Sequence, residues 1–156
     1  MMPSPFDLTG KIAIVTGGNG GIGLGMARGL ARAGAGIVIA GRNKDKSEDA
    51  VRDIEALGAR ALPVSVDVTD KASVAALVET TLRQFGRIDI LINNAGMSVR
   101  QPAHILNLDD WNTVIDTNLT SAFICSKAVY PAMKDNGGGK IINIGSMMSI
   151  FGASFA

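Results

Sequence analysis

The stretch Thr16-Gly17-Gly18-Asn19-Gly20-Gly21-Ile22-Gly23 constrains this chain more than any other. It follows the apolar run Ile12-Ala13-Ile14-Val15 and precedes Leu24-Gly25-Met26-Ala27-Arg28-Gly29-Leu30-Ala31-Arg32, which reads as a helix. A strand, a glycine-rich turn and a helix N-terminus form a cradle for phosphate. Backbone N–H groups approach the anion closely there because no Cβ intervenes. Gly17, Gly21 and Gly23 have the spacing G-x-x-x-G-x-G, which differs from the G-x-G-x-x-G dinucleotide fingerprint.

Apolar runs and helical patterns alternate after this turn. Residues 12–16 read as a strand, 21–33 as a helix, 37–40 as a strand and 44–57 as an amphipathic helix with Ala50, Ile54 and Leu57 on one face. Residues 62–66 form a third strand, whose Pro63 suits a sheet edge. Asp70 caps a helix that runs to about Phe85, and 88–92 is a fourth strand. Residues 97–107 are a loop, 108–133 hold one long helix or two shorter ones, and 140–144 make a fifth strand. Continuously apolar strands separated by helices mean a parallel sheet covered on both faces. Right-handed crossovers then give an α/β, doubly wound sheet of order 3-2-1-4-5, with ligand at the carboxyl ends of strands one and four.

Composition narrows the function classes. The chain has 156 residues, is 47% apolar and 19% charged, and carries a net charge of +1. That suits one domain with a real core, and gives no electrostatic footprint for nucleic acid. No apolar run approaches the ~20 residues that span a bilayer. Met1-Met2-Pro3-Ser4-Pro5-Phe6-Asp7 lacks the basic and apolar regions of a signal peptide. Cys125 has no partner for an internal disulfide, and it sits in an apolar helix as a core residue would. A reducing cytoplasm, no membrane and no metal are expected.

Two further segments complete a constellation: Asn93-Asn94-Ala95-Gly96 after the fourth strand and Asn143-Ile144-Gly145-Ser146 after the fifth. With the glycine turn, Asp67-Val68 after the third strand and Asn118 within Asp116-Thr117-Asn118-Leu119, the chain resembles the short-chain dehydrogenase/reductase family from about Leu8 onward. The resemblance implies a Rossmann fold and an NAD(P)-dependent oxidoreductase. By the same resemblance Gly17, Gly21 and Gly23, with Asn19 and Ile22 in the turn, hold the pyrophosphate. Asp67 accepts a hydrogen bond from the adenine amino group, with the Val68 backbone beside it. Asn93, Ala95 and Gly96 line the ribose side and tie strand four to the turn. Asn118 holds a proton-relay water, and Ser146 bonds the substrate oxygen, with Ser149 beside the pocket. Relatives are commonly homotetramers or homodimers that pair through the long helix after strand four.

The family also uses a Tyr general acid/base with a Lys four residues later, which lowers the phenol pKa. Tyr130 and Lys134 have that spacing but precede Ser146, and Pro131 marks Tyr130 as a helix-end residue. The resemblance puts the catalytic Tyr about three residues past Ala156. The expectation is a single dinucleotide-binding domain over 1–156, truncated before the Tyr-x-x-x-Lys segment and without the later strands. A fragment that binds nucleotide without turnover is the alternative of another class.

Gly41 stands where an NAD site places an acid, about 20 residues past the turn, and Arg42 follows it. An arginine pairs with a 2′-phosphate, which favours NADP, with NAD possible. Lys140 to Ser149 and Asn93 to Arg100 are most similar to the sugar-acid branch of the family, which includes gluconate 5-dehydrogenase and 2-deoxy-gluconate 3-dehydrogenase. In that branch Arg100 becomes a candidate for a small-molecule carboxylate. The 3-oxoacyl-(acyl-carrier-protein) reductases are the alternative. His104 reads as a surface or pocket-lining residue, and Trp111 as an anchor of the long helix.

Overall fold

The computed structural model describes residues 6–152, so the segment Met1–Pro5 read above for targeting features lies outside the described residues. Five parallel strands, β1 (Ile12–Thr16), β2 (Gly36–Gly41), β3 (Ala61–Ser65), β4 (Ile90–Asn93) and β5 (Lys140–Asn143), form one sheet of order β3-β2-β1-β4-β5. This is the expected doubly wound arrangement. Helices α1 (Gly21–Arg32), α2 (Lys44–Glu55), α3 (Lys71–Phe85), α4 (Leu108–Ile115) and α5 (Ser121–Asp135) connect the strands, and a single turn, α6 (Met148–Phe151), follows β5.

Strand alternation sends neighbouring side chains to opposite faces, and both faces are apolar. Ile12, Ile14, Val38 and Leu91 pack with Val74 and Leu77 of α3 and Cys125, Val129 and Met133 of α5. Ala13, Val15, Ile37, Ile39, Ile90 and Ile92 pack with Ala27 and Ala31 of α1 and Ala50, Val51 and Ile54 of α2. Small alanines on α1 let that helix lie close to β1, where its N-terminus must meet the glycine turn. Cys125 is a packed core residue as expected, and burial pushes its thiol up to about 11.

Several boundaries differ from the sequence reading. The fourth strand starts two residues later, because Asp89 turns its carboxylate onto the N-terminal end of β1. Helix α2 ends at Glu55, and Leu57 beyond it is exposed rather than part of the apolar face. The 108–133 region is broken by a π-helical turn, Asp116–Thr120, where Ser121 N–H reaches back to Asp116 O. Tyr130 is not a helix-end residue: α5 continues through Pro131 to Asp135, and the tyrosine lies exposed within it. A proline ring is tolerated there at the cost of one backbone hydrogen bond. Trp111, expected to anchor the long helix, is 53% exposed.

Asp89 fastens β1 to the start of β4. Its side chain is 6% exposed and accepts hydrogen bonds from Ile12 N–H at 2.9 Å, Lys11 Nζ at 3.3 Å and Arg87 at 2.6 and 2.8 Å. Burial pushes the carboxyl up, but the Arg87, Ile12 and Lys11 bonds and the Arg87 charge outweigh it and hold it below the ordinary carboxylate value. A carboxyl depressed in the folded state contributes stability above its unfolded pKa and loses it as pH falls through the folded one. Asp89→Asn is expected to cost about 1–3 kcal/mol at neutral pH. The Tm gap between wild type and variant, followed by circular dichroism, should narrow as pH falls below about 4. A gap that is constant with pH would show that the charge of Asp89 does not contribute.

Candidate functional site

All strands are parallel, so their carboxyl ends share one edge, and at the β1–β4 junction the chain order reverses. A cleft of about 530 Å³ opens along this edge. It is lined by Gly17 and Asn19 from the turn, Ala40 to Asn43 at the end of β2 and just after it, Lys46 of α2, Val66 to Thr69 after β3, Ala95 to Met97 after β4, and Thr113, Asp116 and Thr117 of the helical segment beyond. Seven of the expected residues, Gly17, Asn19, Arg42, Asp67, Val68, Ala95 and Gly96, therefore meet in one place.

The turn is built by close contacts. Gly17 has φ +63°, which disfavours any side chain, and a Cβ there would sit 3.2 Å from Ala95 Cα. A Cβ on Gly23 would fall 2.3 Å from Gly17 O, so this buried glycine lets α1 start directly behind the turn. Gly21 and Ile22 lie at the exposed mouth of α1, Ile22 with 74% exposure. Helices α2, α3 and α4 are capped by the side chains of Asn43, Asp70 and Asn107. Helix α1 has Gly20 at its capping position, and so no side-chain cap, and no acidic residue in its first turn. Its first N–H groups and positive dipole end are thus left for an external anion, and open space surrounds Gly20 and Gly21. These features fit the diphosphate of a dinucleotide.

Asp67 is exposed in the cleft. Its Oδ1 accepts from Thr69 Oγ1 at 2.7 Å and Thr69 N–H at 2.9 Å. Those bonds, with the Arg42 charge as a smaller contribution, hold its carboxyl below the ordinary value despite slight burial. An ionised carboxylate only accepts hydrogen bonds, as an amino group of a bound base requires. The Val68 side chain is buried in the core, which leaves its backbone to the cleft.

Other expected residues lie elsewhere. Asn93 is buried and does not line the cleft: its Nδ2 faces Ala122 O, Ser126 Oγ and Asn143 Oδ1, tying β4 to α5 and β5. The neighbouring Asn94 ties β4 to the turn instead, donating to Thr16 O at 3.0 Å and Gly17 O at 3.2 Å. Sequence reading missed this exchange because adjacent strand residues point to opposite sides, and the dipeptide Asn-Asn carries no sign of which is which. It also missed Thr16, Asn43 and Lys46, although Lys46 lies three residues past Asn43, on the first turn of α2. Arg100 and His104 are exposed on the 97–107 loop, outside the cleft lining. Ser146 follows β5 at the carboxyl edge of the sheet but is not among the residues that line the cleft; its Oγ accepts Met148 N–H at 3.1 Å, and Ser149 lies one turn on.

Asn118 occupies the π-turn. Its Oδ1 accepts Met97 N–H and its Nδ2 donates to Met97 O, both at 2.8 Å. A two-point bond of this kind pins the cleft wall after β4 to the helix, and a π-turn commonly sets such a residue off the regular helical row.

The short chain dehydrogenase family model matches residues 11–155. Among curated relatives, the chain is 41% identical to 2-dehydro-3-deoxy-D-gluconate 5-dehydrogenase of Dickeya dadantii, over 97% of this chain and 60% of that protein. It is 43% identical to gluconate 5-dehydrogenase of Gluconobacter oxydans, over 94% of this chain and 57% of the relative. It is 40% identical to 3-oxoacyl-(acyl-carrier-protein) reductase of a Synechocystis strain, over 93% of this chain and 59% of the relative. Of solved structures, NAD+-bound xylitol dehydrogenase superposes with a TM-score of 0.91 at 35% identity, covering 95% of this chain and 57% of that one. The chain thus spans about 60% of the length of the first of these relatives.

Replacing Asn118 by Ala removes both Met97 bonds. Amide exchange at Met97 is expected to speed up roughly tenfold, with smaller changes in the strands. Hydrogen-exchange mass spectrometry checks it; unchanged exchange would mean that the helix does not hold this wall.

Proposed function

The chain belongs to the short chain dehydrogenase family, and we propose that it is the dinucleotide-binding domain of an oxidoreductase that moves hydride between a nicotinamide and a secondary alcohol or ketone. The observation that carries this reading is the uncapped α1 N-terminus behind a glycine turn, opening on a cleft at the chain-reversal point. The nicotinamide, when bound, accepts or supplies the hydride. The residues of the chain bind and orient. Gly17, Asn19, Gly21, Ile22 and Gly23 build the pyrophosphate cradle, Asp67 and the Val68 backbone meet the adenine, and Ala95 and Gly96 flank the ribose. Asn93 braces β4 from behind. Ser146 Oγ bonds the substrate oxygen, and Asn118 positions the wall beside it and holds a relay water. In this reading residues 1–156 form one dinucleotide-binding domain, and the family's general acid/base, a Tyr four residues before a Lys and following Ser146, is not among them.

The absence of a carboxylate at Gly41 and the presence of Arg42 and Lys46 in the cleft support NADP over NAD. A sugar acid or polyol is the proposed small-molecule substrate, supported by the names of the relatives above. Reduction of a 3-oxoacyl group carried on an acyl-carrier protein is the alternative. The exposed Leu119, Phe123 and Tyr130 lie at helical spacing along the π-turn and α5, which supports pairing of copies, as a homodimer or homotetramer, through that helix. No helix among the described residues is long and apolar enough to cross a membrane. With the unpaired Cys125, a cytoplasmic location without nucleic-acid partners fits this reading.

Two measurements test it. Arg42→Asp removes a phosphate partner and adds a repelling carboxylate, so the ratio of NADP to NAD affinity, by calorimetry, should fall about 10- to 150-fold. An unchanged ratio would remove Arg42 from the 2′ site. If Arg100 closes over a substrate carboxylate, Arg100→Met should lower kcat/KM of the full-length protein on gluconate-type acids and spare uncharged ketones, because a desolvated carboxylate needs its guanidinium. Equal losses on both, or none, would shift weight to the acyl-carrier reading.

A further inference from the structure

Where the glycine turn meets the end of β2, Asn19 lies directly over Gly41. A Cβ on Gly41 would fall 2.7 Å from Asn19 Nδ2 and 3.1 Å from its Cγ. Gly41 is not among the glycines of positive φ, so its backbone accepts any residue and the demand is for space. The far end of a loose side chain would simply swing away. Asn19 is not loose: Nδ2 donates to Ser47 Oγ at 3.0 Å, with Asn43 O at 3.4 Å. Ser47 is 1% exposed and spends its own proton on Asn43 O at 2.8 Å. Its hydroxyl can therefore only accept from Asn19, which fixes the orientation of the amide. Asn43 in turn caps α2 through Lys46 N–H at 2.9 Å. The phosphate turn and the β2–α2 turn are thus one hydrogen-bonded unit whose centre is the Asn19 amide.

We propose that Asn19 is a specificity-determining residue of the nucleotide site. Tethered to Ser47, it fills the space over Gly41 and so excludes the carboxylate that would read an unphosphorylated ribose 2′-hydroxyl. The 2′ edge is left to Arg42 and Lys46, and the ligand class selected is a 2′-phosphorylated dinucleotide. The inference rests on the nucleotide-binding reading above, yet its packing part is independent of any ligand. A carboxylate placed at position 41 alone cannot convert the site, because it must first displace Asn19 and break the Ser47 bond.

A double-variant cycle tests both parts on the full chain. Without ligand, Gly41→Ala should lower Tm by about 2–4 °C in the wild-type background and change little in an Asn19→Ala background. With ligand, NAD affinity itself is the readout, since a carboxylate also repels the 2′-phosphate and would distort any ratio. Gly41→Asp alone should leave NAD affinity at or below that of wild type. Asn19→Ala/Gly41→Asp should bind NAD about fivefold or more tighter than Asn19→Ala, the gain of a ribose hydrogen bond. Additive Tm changes would overturn the steric coupling. A gain in NAD affinity from Gly41→Asp alone, equal to that of the pair of changes, would overturn the specificity role. Failure of the wild-type chain to bind either dinucleotide would overturn the specificity role together with the nucleotide reading, while the thermal cycle still decides whether the packing unit exists.

Discussion

The hydroxyl of Thr16 is the point on which the site depends. It is buried to 1% exposure at the end of β1, accepts the N–H groups of Asn94 and Ala95, each at 3.0 Å, and lies 3.3 Å from Ile92 O. The Asn94 amide answers by bonding the Thr16 and Gly17 carbonyls. Two segments almost eighty residues apart in sequence are spliced where the sheet reverses its order, and the cleft opens at that splice. A β1 end free to drift would carry the glycine turn away from Ala95, and the cradle and the β4 wall would no longer face one another. The opposite end of the same strand pair is held differently, by the Asp89 carboxylate on Ile12 N–H with Lys11 and Arg87 around it. The charged clasp sits at the other end of the strands, and none of its residues lines the cleft. The neutral clasp sits at the cleft, where a fixed charge would compete with a phosphate.

Much of this was legible in the residue pattern. Apolar runs of four or five residues between helical stretches identify buried parallel strands, and the Asp70 cap and the Pro63 edge position both appear as expected. The glycine turn, Arg42, Asp67 and Ala95-Gly96 converge because short turns after parallel strands have nowhere to go except the carboxyl edge. What failed to be legible depends on three-dimensional partners. The start of β4 is set by a carboxylate reaching across to β1, which no local propensity encodes. Asn94 makes the tie to the turn that was expected of Asn93, because one residue of register reverses the side that each faces. The π-turn has no periodic signature, since the apolar spacing on either side of it is ordinary. Trp111 and Tyr130 are exposed although their size suggests burial, and nothing in a single sequence says which large apolar residues a helix turns outward.

The π-turn has a consequence for how the chain tolerates change. Helix α4 buries no side chain, whereas α5 buries Ser121, Cys125, Val129 and Met133 at steps of four, and the same row extended backwards passes through Thr117 and Thr113 on the cleft. An α-helix advances about 100° per residue. A π-turn advances each residue by less than an α-turn does, so its extra residue is absorbed without turning α4 against α5. Losing a single residue between Asp116 and Thr120 would let the two helices fuse into a regular rod with little change in the side that either one presents. What would go is the offset position of Asn118, and with it both bonds to Met97. The deletion would free the wall after β4 while leaving the sheet, the glycine turn and the core intact. The one surplus residue of this helix serves the wall and not the fold.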